Sequence, residues 1–209
     1  MSKAENNTQI SNSNRWNTRT IVTIALLAAI SAALSFIEIP FIAVGFLKYD
    51  ASNVPALIAG FVFGPAPGFL TGTIGAVIHA IFSGNWPGCL MNVCAVAAHV
   101  IPAALIYKKR KTIASAIVGL IISAILATAV MAVMNIIIDP IFYGYTTEAI
   151  LELILPIFIP FNLMKTAINS VLGILIFKPV QMLVFPKSKD AGTVVTSDLD
   201  EDVIESEDL

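Results

Sequence analysis

The sequence is short of charge: of its 209 residues only 12% are Asp, Glu, Lys or Arg, while 57% are hydrophobic, and mean hydropathy is +0.86. A soluble domain of this size could not hide that much apolar surface from water, so lipid must be the solvent. Net charge is only -2 and the basic residues sit in short patches beside apolar runs, which leaves no basic face for nucleic acid. Cysteine is scarce as well. Cys89 and Cys94 stand five apart without any paired Cys or His spacing, so a zinc or disulfide framework is excluded and both read as small packing residues. Histidine occurs twice, as His79 and His99. Neither has a second His at three or four residues or a Glu in the same apolar segment, so no metalloprotease motif forms, and packing or interhelical bonding is expected of both. There is no Gly-x-x-x-x-Gly-Lys-[Ser/Thr] loop, which excludes an autonomous ATP-driven pump.

What is there is a series of long apolar runs between two polar ends. Met1 to Asn17 is rich in Asn and Ser and lacks the pattern of a secretory signal peptide, so residues 1–18 are expected to form a loose cytoplasmic tail. Lys189 to Leu209 carries eight carboxylates and no aromatic residue. It cannot bury enough apolar area to offset the entropy of ordering, and the expectation over 187–209 is a disordered acidic tail with no part in ligand binding.

Between the tails, Thr20 to Ile37 is uncharged and about long enough to cross ~30 Å of hydrocarbon. Ala51 to Tyr107 contains no Asp, Glu, Lys or Arg and must be divided by breakers. Gly64-Pro65-Ala66-Pro67-Gly68 and Ser83-Gly84-Asn85-Trp86-Pro87-Gly88 supply them, giving helices over roughly 52 to 63, 67 to 82 and 89 to 107. The first of these is too short to span alone and should be partial or tilted. A fifth span, Thr112 to Ile138, follows the cluster Lys108 to Lys111, and a sixth runs from about Pro156 to Phe185. The expected fold is an all-α membrane protein, a six-transmembrane-helix bundle over residues 19–186 with a short second helix and an outer lid loop at about 38–52. Arg15, Arg19, the 108–111 cluster, Lys178, Lys187 and Lys189 fall on one side of six crossings, while Glu38, Asp50, Asp139, Glu148 and Glu152 lie opposite. Both termini are then cytoplasmic, and Lys48 is the one basic residue left in an outer loop.

Asn162, Lys165 and Asn169 recur at helical spacing and put a polar stripe on the last apolar helix. A lysine at the centre of a lipid-facing helix costs roughly 2.5 to 3.5 kcal/mol, so Lys165 should face a protein interior or a wet cavity; snorkelling to the headgroups is the alternative. Asn135, near the outer end of the fifth span, converges on the same depth and would also need a partner or ligand, interhelical bonding being the plainer use. Together Asn135, Asn162 and Lys165 suit a flat, mostly apolar ligand with a few polar edge atoms. Asp50 is expected to cap the second helix with Lys48 paired to it, or both to serve the lid. Ala25, Ala29 and Ala33, with Ala28 and Ala32 alongside, allow close approach of another helix, inside the bundle or from outside it. A secondary transporter would need an acidic residue embedded in the membrane, and every Asp and Glu reads as lying at a helix end, in a loop or in a tail.

Phe46-Leu47-Lys48-Tyr49-Asp50 continuing through Val54 to Pro65, Asn135 followed by Pro140-Ile141-Phe142-Tyr143, and Pro160-Phe161-Asn162-Leu163-Met164-Lys165 resemble the signature of the riboflavin-specific substrate-binding components of energy-coupling factor (ECF) transporters. The resemblance covers about residues 20 to 180; Met164 departs from the commoner leucine, and the Ser83 to Asn92 region departs from the pattern. It implies a bacterial plasma-membrane protein that binds riboflavin from outside and is not itself an enzyme. By the resemblance, Asn135, Asn162 and Lys165 hydrogen-bond the pyrimidine-like edge of the isoalloxazine ring, the loop bearing Leu47 and Lys48 closes over the pocket, and the stripe of Ala25, Ala29, Ala33, Ala28 and Ala32 docks the shared transmembrane coupling subunit. Two separate ATPase subunits are the further implied partners, and no cofactor is implied, riboflavin being the transported substrate. A component for another vitamin or a flavin nucleotide is the near alternative.

Overall fold

A computed structural model describes residues 18–41 and 47–184. Most of the expected tail at 1–18, the expected acidic tail at 187–209, and residues 42–46 of the expected lid loop lie outside the described residues. The chain runs through α1 (Thr18–Ser35), a two-stranded antiparallel hairpin of β1 (Ile39–Pro40) and β2 (Lys48–Tyr49), then α2 (Asn53–Phe63), α3 (Pro65–Ser83), α4 (Trp86–Arg110) and α5 (Ile113–Tyr143). It ends in α6 (Thr147–Leu153), one π-helical turn (Ile154–Phe158) and α7 (Ile159–Val184). Among the described residues five helical stretches are long and apolar enough to cross a membrane, α6 through α7 counting as one, and α2 is a shorter apolar helix.

The short α2 is the centre of the bundle. Every residue from Asn53 to Phe61 is buried, because α1, α3, α4 and α7 surround it. It meets protein on all sides and so has no hydrocarbon thickness to match. Its core partners include Leu27 of α1, Val96 and Val100 of α4 and Phe177 of α7. At the end near Lys108, Phe61, Tyr107 and Phe177 pack edge to face or tilted with ring centroids 5.2 to 5.6 Å apart. Apolar burial gives helices little reason to associate in lipid, so close packing must hold the bundle together. Gly68 shows how close: a Cβ built there would lie 2.6 Å from the Cα of Gly60. The outward rows of α5, including Ile117, Ile121 and Ile125, are exposed and apolar, as a lipid face requires.

The breakers act over fewer residues than the sequence suggests. Gly64 alone turns α2 into α3, with φ 109 and ψ 176, a backbone only glycine adopts without steric cost. Pro65 then opens α3, where its missing N–H is no loss. Likewise α4 begins at Trp86, with the Asn85 side chain accepting the N–H of Gly88 at 2.9 Å. The fifth span does not stop at Ile138 but continues through Pro140 to Tyr143. The last helical stretch starts at Thr147 instead of Pro156, because a π-type bond from Ile159 N–H to the Ile154 carbonyl carries the chain past the prolines.

Candidate functional site

A cavity of about 420 Å3, bordered by the segment that carries the β1–β2 hairpin and expected to act as a lid, is within the size range of small-molecule sites. Three helices form its walls. From α5 come Ala127, Met131, Asn135, Asp139 and Tyr143, each four residues after the last and so on one face. From α7 come Phe161, Asn162, Lys165 and Thr166, and from α4 Met91, Asn92 and Ala95. Leu47, Lys48 and Asp50 of the hairpin segment, Asn53 at the start of α2 and His79 of α3 are also among the lining residues.

Lys165, Asn135 and Asn162 therefore share one chamber. Both amides are anchored to their own helices: Asn135 Nδ2 donates to the Met131 carbonyl at 2.6 Å and Asn162 Nδ2 to the Phe158 carbonyl at 2.8 Å. One bond of this kind uses one of the two N–H groups and fixes the rotamer, so each amide keeps its oxygen and a second donor for a ligand. Both side chains are buried.

The ammonium of Lys165 is not free. It donates to Asp50 Oδ2 at 2.7 Å, with both side chains largely shielded from solvent. Asp50 also accepts from the backbone N–H of Ser52 at 3.0 Å and from its hydroxyl, which shapes the turn entering α2. Burial alone would raise the Asp50 pKa, but the Lys165 ammonium and the Ser52 bonds outweigh it and hold the carboxyl below its ordinary value of 3.8. Tyr49 Oη donates to Asn169 Oδ1 at 3.0 Å; burial, then the neighbouring Asp50 carboxylate, pushes its pKa above 10.0 and keeps the phenol protonated. Phe41 packs edge to face on Phe161 at 5.3 Å. Phe161, Lys165 and Asn169 are spaced four apart, so one face of α7 grips the lid at three successive turns.

The expected pairing of Lys48 with Asp50 is replaced. Lys48 pairs with Glu38 across the hairpin, where β1 and β2 run antiparallel with Pro40 opposite Lys48. His79 Nε2 lies 3.7 Å from the other oxygen of Glu38 and reaches the cavity rim, so it does more than pack. His99 is fully buried, its Nε2 3.1 Å from Ser170 Oγ, which is the interhelical bond expected of it. Asp139, expected just beyond the fifth span, instead lies four residues before the end of α5 and is 5% exposed. Asn53, Asn92 and Asp139 were not picked out from the sequence as site residues. The four-residue rows Asn135-Asp139-Tyr143 and Gly88-Asn92 were the signal that could have found two of them.

The alanine stripe divides. Ala25, Ala29 and Ala33 face outward beside Ile21, Val22 and Ile30. Ala28 and Ala32, expected to share in docking, are buried at 2% and 6%. This part of α1 packs on α3, where a Cβ at Gly75 would meet Ser31 Oγ at 2.4 Å and the Ala32 nitrogen at 3.2 Å. These two alanines serve the inside of the bundle.

Comparison with known proteins agrees with this picture. A family model described as "ECF transporter, substrate-specific component" matches residues 19–177. The chain is 32% identical over 174 residues to "Riboflavin transporter RibU" of Staphylococcus aureus (strain TCH60), covering 79% of this chain and 92% of that protein. It is 27% identical over 169 residues to "Riboflavin transporter FmnP" of Bacillus subtilis (strain 168), covering 75% and 89%. A solved structure, presented as "Structure and mechanism of the S component of a bacterial ECF transporter", superposes with a TM-score of 0.70 at 31% identity, covering 80% of this chain and 98% of that one.

Proposed function

The chain belongs to the substrate-specific components of ECF transporters, and from that premise we propose that it captures riboflavin at the outer face of a bacterial plasma membrane. It is a binding and transport subunit, not an enzyme. The observation that carries the reading is one cavity lined by Asn135, Asn162 and Lys165, whose amides and ammonium offer donors and acceptors to an imide edge amid apolar walls. The relatives named as riboflavin transporters support the choice of ligand.

In this reading the chain crosses the membrane six times, α2 counting as a short crossing, and both termini are cytoplasmic with the Lys108 to Lys111 cluster. The hairpin bearing Leu47 and Lys48 is the lid over the bound vitamin. The outward face of Ala25, Ala29 and Ala33 docks the transmembrane coupling subunit, and two ATPase subunits bound to that partner drive release to the inside. The tail at 187–209 takes no part in binding.

Purification in detergent followed by visible absorption tests the ligand. Copurifying flavin gives a yellow sample. A colourless protein that binds another vitamin when offered would reassign the substrate within the same family.

A further inference from the structure

At the Lys108 end of the bundle a second cleft, of about 140 Å3, lies between the end of α2, the Gly64 turn and the end of α4, and it shares no residue with the chamber. It is smaller than a drug-sized ligand requires. Phe61, Val62 and Phe63 line it from α2, Ala104 and Tyr107 from α4, and the packing of the Phe61, Tyr107 and Phe177 rings fixes that wall. Of the lining residues only Lys108 and Lys111 are exposed. Lys109 and Arg110, between them, carry the same charge but do not line the cleft. Among the described residues the ion pairs are Lys48–Glu38, His79–Glu38 and Lys165–Asp50, so neither cleft lysine meets a carboxylate there.

The backbone singles out Lys111. It caps α4 in the left-handed region, at φ 50, and donates its N–H to the Tyr107 carbonyl at 2.7 Å. Gly84 and Gly144 hold the corresponding position after α3 and α5, the usual choice because glycine adopts that conformation without steric cost. Among the described residues Lys111 is the one non-glycine at positive φ. What lysine supplies there and glycine cannot is an ammonium beside the cleft. The backbone itself offers an anion little: α3 opens with Pro65 and Pro67, which have no N–H, and the N–H of Gly68 goes to the Gly64 carbonyl at 3.2 Å. Recognition of charge at this cleft therefore falls to the two side chains.

The sequence of α4 changes from apolar to cationic between Tyr107 and Lys108, which places the cleft where hydrocarbon gives way to headgroups. A Cβ built on Gly64 would meet nothing within 4 Å, so the turn beside the cleft is open. A soluble phosphate would gain nothing from the apolar walls, whereas a phospholipid would bury the carbons next to its phosphate against them. We propose that this cleft binds the headgroup phosphate of an anionic phospholipid, with Lys108 and Lys111 on the charge and the apolar walls against the glycerol ester. In the orientation proposed above, the lipid belongs to the cytoplasmic leaflet, whose surface is negative. The site does not depend on the flavin reading.

The test is titration of the full chain, in a neutral detergent, with phosphatidylglycerol or phosphatidylcholine, read by native mass spectrometry of retained lipid and by melting temperature. One phosphatidylglycerol should be held in preference to phosphatidylcholine and should raise the melting temperature. Lys108→Gln combined with Lys111→Gln should weaken phosphatidylglycerol roughly tenfold or more, whereas Lys109→Gln combined with Arg110→Gln, the same loss of charge, should weaken it less than about twofold. Lys111→Gly should also weaken it while leaving the lipid-free melting temperature unchanged or higher, a split that a purely structural role for Lys111 would not give. Equal losses in the two double variants would reduce the attraction to diffuse charge and overturn the site, as would equal binding of the two lipids. Glycerol phosphate binding as tightly as phosphatidylglycerol would make this a site for soluble anions and overturn the lipid. A preference that appears only in Asp200→Asn, Glu201→Gln, Asp202→Asn would make the acidic tail the occupant and overturn it as well. Should the Lys108 and Lys111 double variant fail to fold, Lys111→Gly still decides the question.

Discussion

Lys165 Nζ lies 2.7 Å from Asp50 Oδ2, a contact between the lid and α7 across 115 positions of sequence. The residue best placed to donate to a ligand is thus also the residue that holds the lid's base. If the proposed ligand takes a hydrogen bond from Lys165 it must share or replace this bond, which would couple occupancy to the position of the hairpin segment.

Breaking that pair from one side should cost more than removing it. Lys165→Met strands the Asp50 carboxylate, and Asp50→Leu strands the ammonium; a buried charge left alone costs about 3–5 kcal/mol, less here because neither side chain is wholly enclosed. Thermal unfolding in detergent should show each single variant destabilised and the double variant close to wild type. Strictly additive losses would mean that the two groups do not act as a pair.

The pair also fixes the pH response of the lid. The Asp50 pKa is lowered by folding, so its contribution is fully present above 3.8 and is lost as pH falls through the still lower folded value. Protease sensitivity of the lid in the ligand-free protein should be flat from pH 5 to 8 and rise only in stronger acid. A transition near neutrality that survives in Asp50→Asn would show that this pair does not set the response.

Tyr49→Phe removes the hydroxyl that donates to Asn169 while keeping the ring. The lid should then release ligand several-fold faster, with the association rate little changed, since the loss of one hydrogen bond falls mainly on dissociation. Stopped-flow displacement of bound flavin measures both rates, and an unaltered off-rate would remove Tyr49 from the latch.

The two halves of the alanine stripe should respond oppositely to bulk. Ala29→Phe on the outward face should leave flavin binding intact and impair assembly with the coupling subunit. Ala28→Phe, at a position only 2% exposed, should overpack α1 and cost roughly 1–3 kcal/mol or more of stability. Co-purification with the coupling module and thermal stability separate these outcomes.

The stripe Asn162, Lys165 and Asn169 was legible in the sequence because helical spacing alone puts those positions on one face, and an apolar background makes polar residues conspicuous. Which acid would meet Lys165 was not legible, since Asp50 reaches it through the fold of a loop. Lys48 was misassigned for a related reason: the two residues are near in sequence, but β-pairing turns Lys48 toward Glu38. Asp139 was expected just beyond the fifth span, which instead runs on through Pro140 to Tyr143, since a helix near its end tolerates a proline whose lost bond is a single one. The last helical stretch likewise begins at Thr147, ahead of the expected Pro156. Apolar length and breakers located the helices well, while their ends depended on local bonds that composition does not report.

The measurement that bears most directly on the account is a fluorescence titration of riboflavin with the purified chain, repeated with Asn162→Leu and Lys165→Ala. Saturable quenching at one flavin per chain is expected, with affinity reduced by about tenfold or more in each variant. Absence of quenching in the wild type, or quenching unaltered by both substitutions, would contradict it.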